Sequence, residues 1–326
     1  MHVFIDTNIL LNFFHFTKDE LDSLNDVFAS HEHGSATVHL TEQVCNEFRR
    51  NREARIKDAL NKFKETKFSP QFPSFMKCYD EYVQIREQSN SLRKLQKVIL
   101  EKVAADISAK DLVADRLIDQ IFKSSEIVPI TAQVYGKASM RSALGNPPGK
   151  NDSIGDAVNW ALLLDSVPDN EDVHIISEDG DFFSTLDDQK AHPFLVEEWE
   201  RVKGARLFVY RTLSGFMSEH FDGVAFSFDK DKEALIEGLF DSGSFAQTHS
   251  IISKLENYRY FSAKEVIRIL DAAHANNQFG GIITDYDVSD FLNRIAVPQM
   301  SNITSEEHRK TLKTVIEEKR ERVILN

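Results

Sequence analysis

A chain of 326 residues, 41% hydrophobic and 28% charged, has length for one large domain or two ordinary ones with real cores. Its formal net charge of -13 excludes a generic basic nucleic-acid coat, although a local basic strip can coexist with an acidic whole. Two cysteines, Cys45 and Cys78, are too few for a disulfide framework and point to a reducing cytoplasm.

The chain opens MHVFIDTNIL. Asp6, Asn8 and Asn12 interrupt its apolar run and no basic stretch precedes it, so a secretory leader is not expected. No apolar run approaches the roughly 18 residues of a membrane span, so no membrane partner is expected. Val3–Ile5 reads as a first strand. Thr17-Lys18-Asp19-Glu20 is a capping-box start for a helix running to Ala29. His31–Gly34 is a turn, and Ala36–Leu40, rich in β-formers, is a second strand. Thr41 then caps a helix through Val44, Glu47 and Phe48.

From about 51 to 125 the composition changes to Lys, Arg, Glu, Gln and Ala, with no glycine. That is the pattern of long, largely exposed helices inserted into a core fold, and it offers a surface for a homodimer. Ile127–Ile130 is a boundary segment, Ala132–Leu144 a helix, and Gly145–Asp152 a loop by every turn signal. Ile154–Leu164 has apolar residues at helical spacing and reads as a buried helix. Val173–Ile176 is the clearest buried strand, ending in Ser177-Glu178-Asp179-Gly180-Asp181-Phe182. Arg206–Tyr210 is a later strand. Beyond Thr212 the stretch 215–244 is mixed, 258–293 is helical, and 305–322 is a charged helix.

Strands alternating with helices imply an α/β fold with a mostly parallel central sheet and helices on both faces. The expected division is a core domain over 1–212, with its helical insertion at about 51–125, and a smaller, mainly helical C-terminal region over 213–326. That region has no chemistry of its own, and a protein partner is the default expectation for it.

Carboxylates recur where such sheets build their sites, beyond the carboxyl ends of strands. Asp6 follows the first strand, and Asp179 and Asp181 follow the Val173–Ile176 strand. Asp152 and Asp156 start a helix four residues apart, on one face. Glu47 lies on the helix after the second strand. Several carboxylates cannot stay ionised together unscreened. A hard divalent cation, Mg²⁺ or Mn²⁺, resolves this with oxygen ligands and suits phosphodiester hydrolysis. No Cys or His pair has zinc spacing. His31, His33 and His39 are close in sequence, but a turn and a strand separate their directions. Trp160, Phe182 and Phe183 are expected in the core.

Phe4–Asn8 (FIDTN), Glu47 in VCNEF, Gly155–Leu164 (GDAVNWALLL) and Ser177–Phe182 (SEDGDF) together resemble the PIN-like nuclease domain, in the family's order. The resemblance covers about 1–55 and 127–212, and is closest to larger PIN-like proteins with a helical insertion and a C-terminal extension. It implies a three-layer PIN-like fold and a metal-dependent ribonuclease with an acidic tetrad. Carried over by position, Asp6, Glu47, Asp156 and Asp179 are the catalytic, metal-holding acids. Asp181 is adjacent to the fourth, and Asp152 competes with or assists Asp156. Glu42 is a weaker substitute for Glu47. Asn8 orients Asp6 or a metal-bound water, and Ser177 hydrogen-bonds one of the acids.

Arg49, Arg50, Arg52 and Arg55 form the best local basic strip. With Lys150 beside the acids, Arg49 and Arg52 are candidates to contact substrate phosphates. The Gly145–Lys150 stretch is no P-loop: three residues rather than four separate its glycines, and Asn151 replaces the Ser/Thr. The function expected is endonucleolytic cleavage of mostly single-stranded RNA. Two other classes compete: a catalytically silent PIN-like module that binds RNA or protein, and a flap-type DNA nuclease.

Overall fold

The computed structural model of the chain describes residues 1–29, 36–68, 70–149, 154–221, 227–256, 258, 261–300 and 303–324. The chain divides into two compact units, Met1–Met140 with Gly155–Val167, and Arg141–Ile154 with Pro168–Asn326. The stretch 168–212 therefore falls in the second unit, along with 213–326. The fold is α/β, with a central sheet of parallel strands.

In the first unit β1 (His2–Ile5) runs into α1 (Thr7–Asn12) with only Asp6 between them. Val3, Phe4, Ile5, Ile9, Leu10 and Leu11 are all buried. This two-sided burial explains why the opening run is continuous rather than alternating. A 3-10 turn at Phe13–His15 leads to α2 (Lys18–Phe28). The expected capping box is present, with Thr17 Oγ1 accepting from Glu20 N and Glu20 accepting from Thr17 N at 2.7 Å.

The expected second strand is split. β2 (Thr37–Val38) pairs in parallel with β1, His2 opposite Thr37 and Val3 opposite Val38. β3 (Leu40–Thr41) instead pairs in parallel with β4 (Ile127–Val128). His39 sits at the break, its N–H donating to Val3 O at 2.8 Å and its Nε2 lying 2.7 Å from His2 Nδ1. The expected turn at His31–Gly34 lies outside the described residues.

α3 (Glu42–Glu65), α4 (Asp80–Ala109) and α5 (Val113–Ser124) form the expected helical stretch. α5 buries Leu117, Ile118 and Ile121 along one face, the spacing of an amphipathic helix. α4 has no buried residue over its 30 residues. α6 (Ala132–Ala143) follows β4. α7 (Gly155–Ser166) buries seven residues in a row, Ala157–Leu163. A helix apolar all round belongs in a core, and Trp160 is fully covered there.

In the second unit β5 (Val173–Ile176) pairs in parallel with β6 (Leu207–Tyr210), Val173 opposite Leu207 through Ile176 opposite Tyr210. Between them runs α8 (Pro193–Lys203), a helix not among those expected from the sequence. Its signals were present: Pro193 at the first turn and Gly204 as a left-handed cap. Phe182 and Phe183 are buried as expected.

The remainder is helical: α9 (Leu213–His220), α10 (Ser227–Phe240), α11 (Phe245–Leu255), α12 (Ala263–Ala275), α13 (Asn277–Gly280), α14 (Tyr286–Ala296) and α15 (Glu306–Ile324). Thus 215–244, read as mixed, contains two helices, and 258–293, read as helical, holds three. Asn276 divides α12 from α13, its Oδ1 accepting from Gln278 N at 2.9 Å. α10 to α15 share their own hydrophobic core, in which Leu239, Ile252, Ile269, Leu270, Phe279, Leu292 and Val315 are fully buried. At about 1.5–3 kcal/mol for each large apolar side chain, burial of this set is what orders the region.

Candidate functional site

Asp6 is the N-cap of α1, and its Oδ1 accepts the Thr7 N–H at 2.7 Å. The carboxylate is 5% exposed. A cap at the end of a strand, with helix N–H groups in front of it, is a setting that tolerates a buried anion. Thr7 Oγ1 is buried and has no hydrogen-bond partner among the described residues. Asn8, in the same first turn, is half-buried.

Glu47 is half-buried on α3, a turn and a half past the N-cap. That cap is Thr41, fully buried, whose hydroxyl accepts from Val44 N at 3.1 Å and donates to Asn159 Oδ1 at 2.7 Å. Asn159 lies one turn along α7 from Asp156, so one hydroxyl ties together the starts of the helices that carry Glu47 and Asp156. The sequence reading missed this pair. Its visible signal was an amide inside the apolar run GDAVNWALLL. Asp156 is half-buried in the first turn of α7, where the helix dipole favours a negative charge. Glu42, the weaker substitute for Glu47, has a bond of its own, its Oε2 accepting from Ile130 N at 2.7 Å.

In the second unit Ser177, Asp179 and Asp181 form a ladder. Asp179 N donates to Ser177 Oγ at 3.0 Å, and Asp181 N donates to Asp179 Oδ1 at 2.8 Å. Ser177 N continues the sheet by donating to Tyr210 O at 3.0 Å. The ladder shapes the turn that ends β5. Ser177 Oγ thus meets the Asp179 backbone N–H. Asp181 is 5% exposed and its Oδ2 accepts from Gly149 N at 3.0 Å. Gly149 has φ +122°, a backbone open to glycine and strained for other residues.

Arg211, unmentioned by the sequence reading, braces the same loop. Its Nη1 donates to Glu178 O at 3.0 Å, its Nε to Asp188 O at 3.3 Å, and its guanidinium lies over the Phe183 ring at 3.5 Å. An arginine directly after a strand was its only signal.

The basic strip does not assemble as four residues. Arg52 is 7% exposed and bound to Asp115, Nε to Oδ1 at 2.7 Å and Nη2 to Oδ2 at 2.5 Å. Arg55 is also buried and donates to Asn12 Oδ1 at 2.6 Å. Four arginines within seven residues span nearly two turns of α3, so helical rotation sends two of them inward. Arg49 and Arg50 stay exposed. The assignment of Arg52 to substrate is corrected: it is a packing arginine with a filled fork. Lys150 and Asp152 lie outside the described residues.

Among the described residues no group of three or more His, Cys, Asp or Glu side chains is arranged to hold a metal ion. Mg²⁺ does not demand such a cage, since it keeps several waters and takes one or two carboxylates. The donor chemistry of the first unit fits it: Asp6 is a buried oxygen donor, and the Thr7 hydroxyl beside it is buried with no hydrogen-bond partner among the described residues.

No curated protein and no solved structure matches the chain. A PIN domain model matches residues 3–182, more than half of the 326. PIN domains have a nuclease-like fold, are commonly nucleases, and generally use divalent metals. No helix among the described residues is long and apolar enough to cross a membrane. The matched segment begins at β1 and closes on the Asp179–Asp181 turn, and the chain belongs to the PIN domain family.

Proposed function

We propose that this chain is a metal-dependent endoribonuclease that hydrolyses phosphodiester bonds, mostly in single-stranded RNA. The observation that carries the reading is Asp6. A buried carboxylate ends the first strand of a PIN domain, beside a buried hydroxyl with no hydrogen-bond partner among the described residues. Leaving that hydroxyl buried without a ligand is costly.

Asp6, Glu47 and Asp156 of the first unit are oxygen donors assigned to Mg²⁺ or Mn²⁺; Asp179 and Asp181, with Asp152 as an auxiliary, are acids of the second unit to which the PIN resemblance gives the same role. When bound, the ion activates water and neutralises charge on the scissile phosphate. The chain's own residues preset the donors. The Thr7 N–H holds Asp6. The Thr41 hydroxyl holds the helices of Glu47 and Asp156. The Ser177–Asp181 ladder holds its turn. Arg49, exposed on α3, and Lys150 remain candidates to meet phosphates. The same reading places the enzyme in the reducing cytoplasm, and the free thiols of Cys45 and Cys78 support that.

The test is incubation of the purified chain with labelled single-stranded and hairpin RNAs and a branched DNA, in Mg²⁺, Mn²⁺ or EDTA, alongside Asp6→Asn. RNA cleavage that needs metal and falls at least about 100-fold in a folded Asp6→Asn supports the proposal. Preference for the branched DNA moves the chain to the flap-type class. No cleavage and no saturable Mn²⁺ binding in calorimetry leaves a silent binding module.

A further inference from the structure

A stripe on α4 has no partner among the described residues of its own chain. Glu81, Ile85, Gln88, Leu92, Leu95, Ile99 and Lys102 follow one another at spacings of four and three. That is the heptad seam of a coiled coil, which repeats along one side of a helix. Ile85, Leu92, Leu95 and Ile99 are 40, 46, 56 and 48% exposed. The α4 side chains that turn inward, among them Tyr82, Gln96, Leu100 and Val103, lie on a neighbouring face and are half-covered. Gln96 Nε2 there donates to Phe63 O at 2.8 Å and Thr66 O at 3.1 Å. α4 is thus fastened on one side and bare along the seam. A helix of 30 residues is about 45 Å long, and contiguous apolar surface of this kind marks an interaction site.

We propose that this seam is where a second copy of the chain docks, with its α4 antiparallel to the first. The argument for a second copy and for its direction is charge. Glu81 closes the seam at its N-terminal end and Lys102 at its C-terminal end, and both are exposed. A second α4 laid antiparallel brings each Glu81 to the end that carries the other copy's Lys102. A parallel copy sets Glu81 on Glu81 and Lys102 on Lys102. With the Leu92 and Leu95 layers facing each other at the centre, each Glu81 lies about one turn from the other copy's Lys102. The interface is isologous, as a twofold dimer requires. It does not depend on the nuclease reading.

The experiment is sedimentation velocity on the full chain at low micromolar concentration. The wild type is expected at twice the mass of the 37.3 kDa chain, and Leu92→Glu/Leu95→Glu at the single mass with an unchanged circular dichroism spectrum. Neither leucine is buried, so the fold survives the change. Lys94→Glu, away from the seam, is expected to remain dimeric. Glu81→Lys and Lys102→Glu each weaken the dimer at least tenfold, and the double charge reversal restores it. A monomeric wild type, or a dimer that persists in Leu92→Glu/Leu95→Glu, overturns the proposal. Failure of the double reversal to restore the dimer overturns the antiparallel arrangement.

Discussion

The guanidinium of Arg211 lies 3.5 Å from the centroid of the Phe183 ring while donating to the carbonyl of Glu178. Two contacts from one side chain therefore grip the loop that carries Asp179 and Asp181 from both ends. A cation over an aromatic face is worth about 0.5–2 kcal/mol, and the charged hydrogen bond a similar amount. Arg211→Ala is expected to leave the global melting temperature nearly unchanged while loosening the loop. Amide exchange at Asp179 and Asp181 should quicken, and cleavage under the proposed function should fall about tenfold. Unchanged exchange at both amides would falsify the bracing role.

Thr41 is the buried joint between two helix starts. Thr41→Val keeps its shape but leaves the Asn159 amide oxygen and the Val44 N–H without their partner. Losing a cap costs about 1 kcal/mol and stranding a buried acceptor about 1–3 more. We expect about 2–4 kcal/mol from urea unfolding, with Thr41→Ser recovering most of it. A loss under 0.5 kcal/mol would show that the joint is redundant.

Arg52 and Asp115 predict opposite outcomes for two arginines three apart on one helix. Asp115→Ala strands a buried guanidinium and should destabilise the chain by about 3–5 kcal/mol. Arg52→Met/Asp115→Leu, which replaces both charges with apolar groups, should be much milder. Arg49→Ala, at the surface, should leave stability alone and reduce the salt dependence of RNA binding by about one ion. Thermal melts and a salt titration of binding separate these cases.

His174 sets an acid limit. Burial, with His220 nearby, pushes its imidazole down to about 4. It stacks on Phe208 at 4.8 Å and lies 3.2 Å from the Tyr210 hydroxyl. The folded form keeps the ring neutral, whereas the unfolded chain takes up a proton near 6.5. Stability linked to this group is therefore full above about pH 6.5 and is lost as pH falls from there to about 4. The loss is on the order of 3 kcal/mol. His174→Phe should flatten that part of the stability profile, measured by urea unfolding at pH 7, 6, 5 and 4.5.

A second histidine works in the other direction. Its hydrogen bond to Asp287, 2.7 Å from Nδ1, outweighs partial burial and, with Asp285, holds His249 above the usual imidazole range. This contribution is present below about pH 6.5 and fades as pH rises through the folded value. Asp287→Asn should bring the His249 titration, followed by NMR, back toward 6.5. A titration left where it was would mean that Asp285 alone sustains the shift.

Much of this protein is decided by local chemistry and so can be read from the chain. β1, β5, the Thr17 and Thr41 caps and the buried run of α7 follow from apolar patterning and from hydroxyls placed before helices, which act within a few residues. The order of FIDTN, VCNEF, GDAVNWALLL and SEDGDF was enough to point to the PIN family. Other features depend on which groups meet across long separations in sequence. The split of the second strand at His39 follows from β3 finding β4 some 87 residues on. The inward turn of Arg52 follows from Asp115, 63 residues away. The grip of Arg211 on Glu178 spans 33 residues. Residue type and spacing along a helix do not say which face is covered, because that depends on the neighbour that covers it. For this reason a strip of four arginines read as a surface became two surface residues and two buried ones, while the seam on α4 stayed bare.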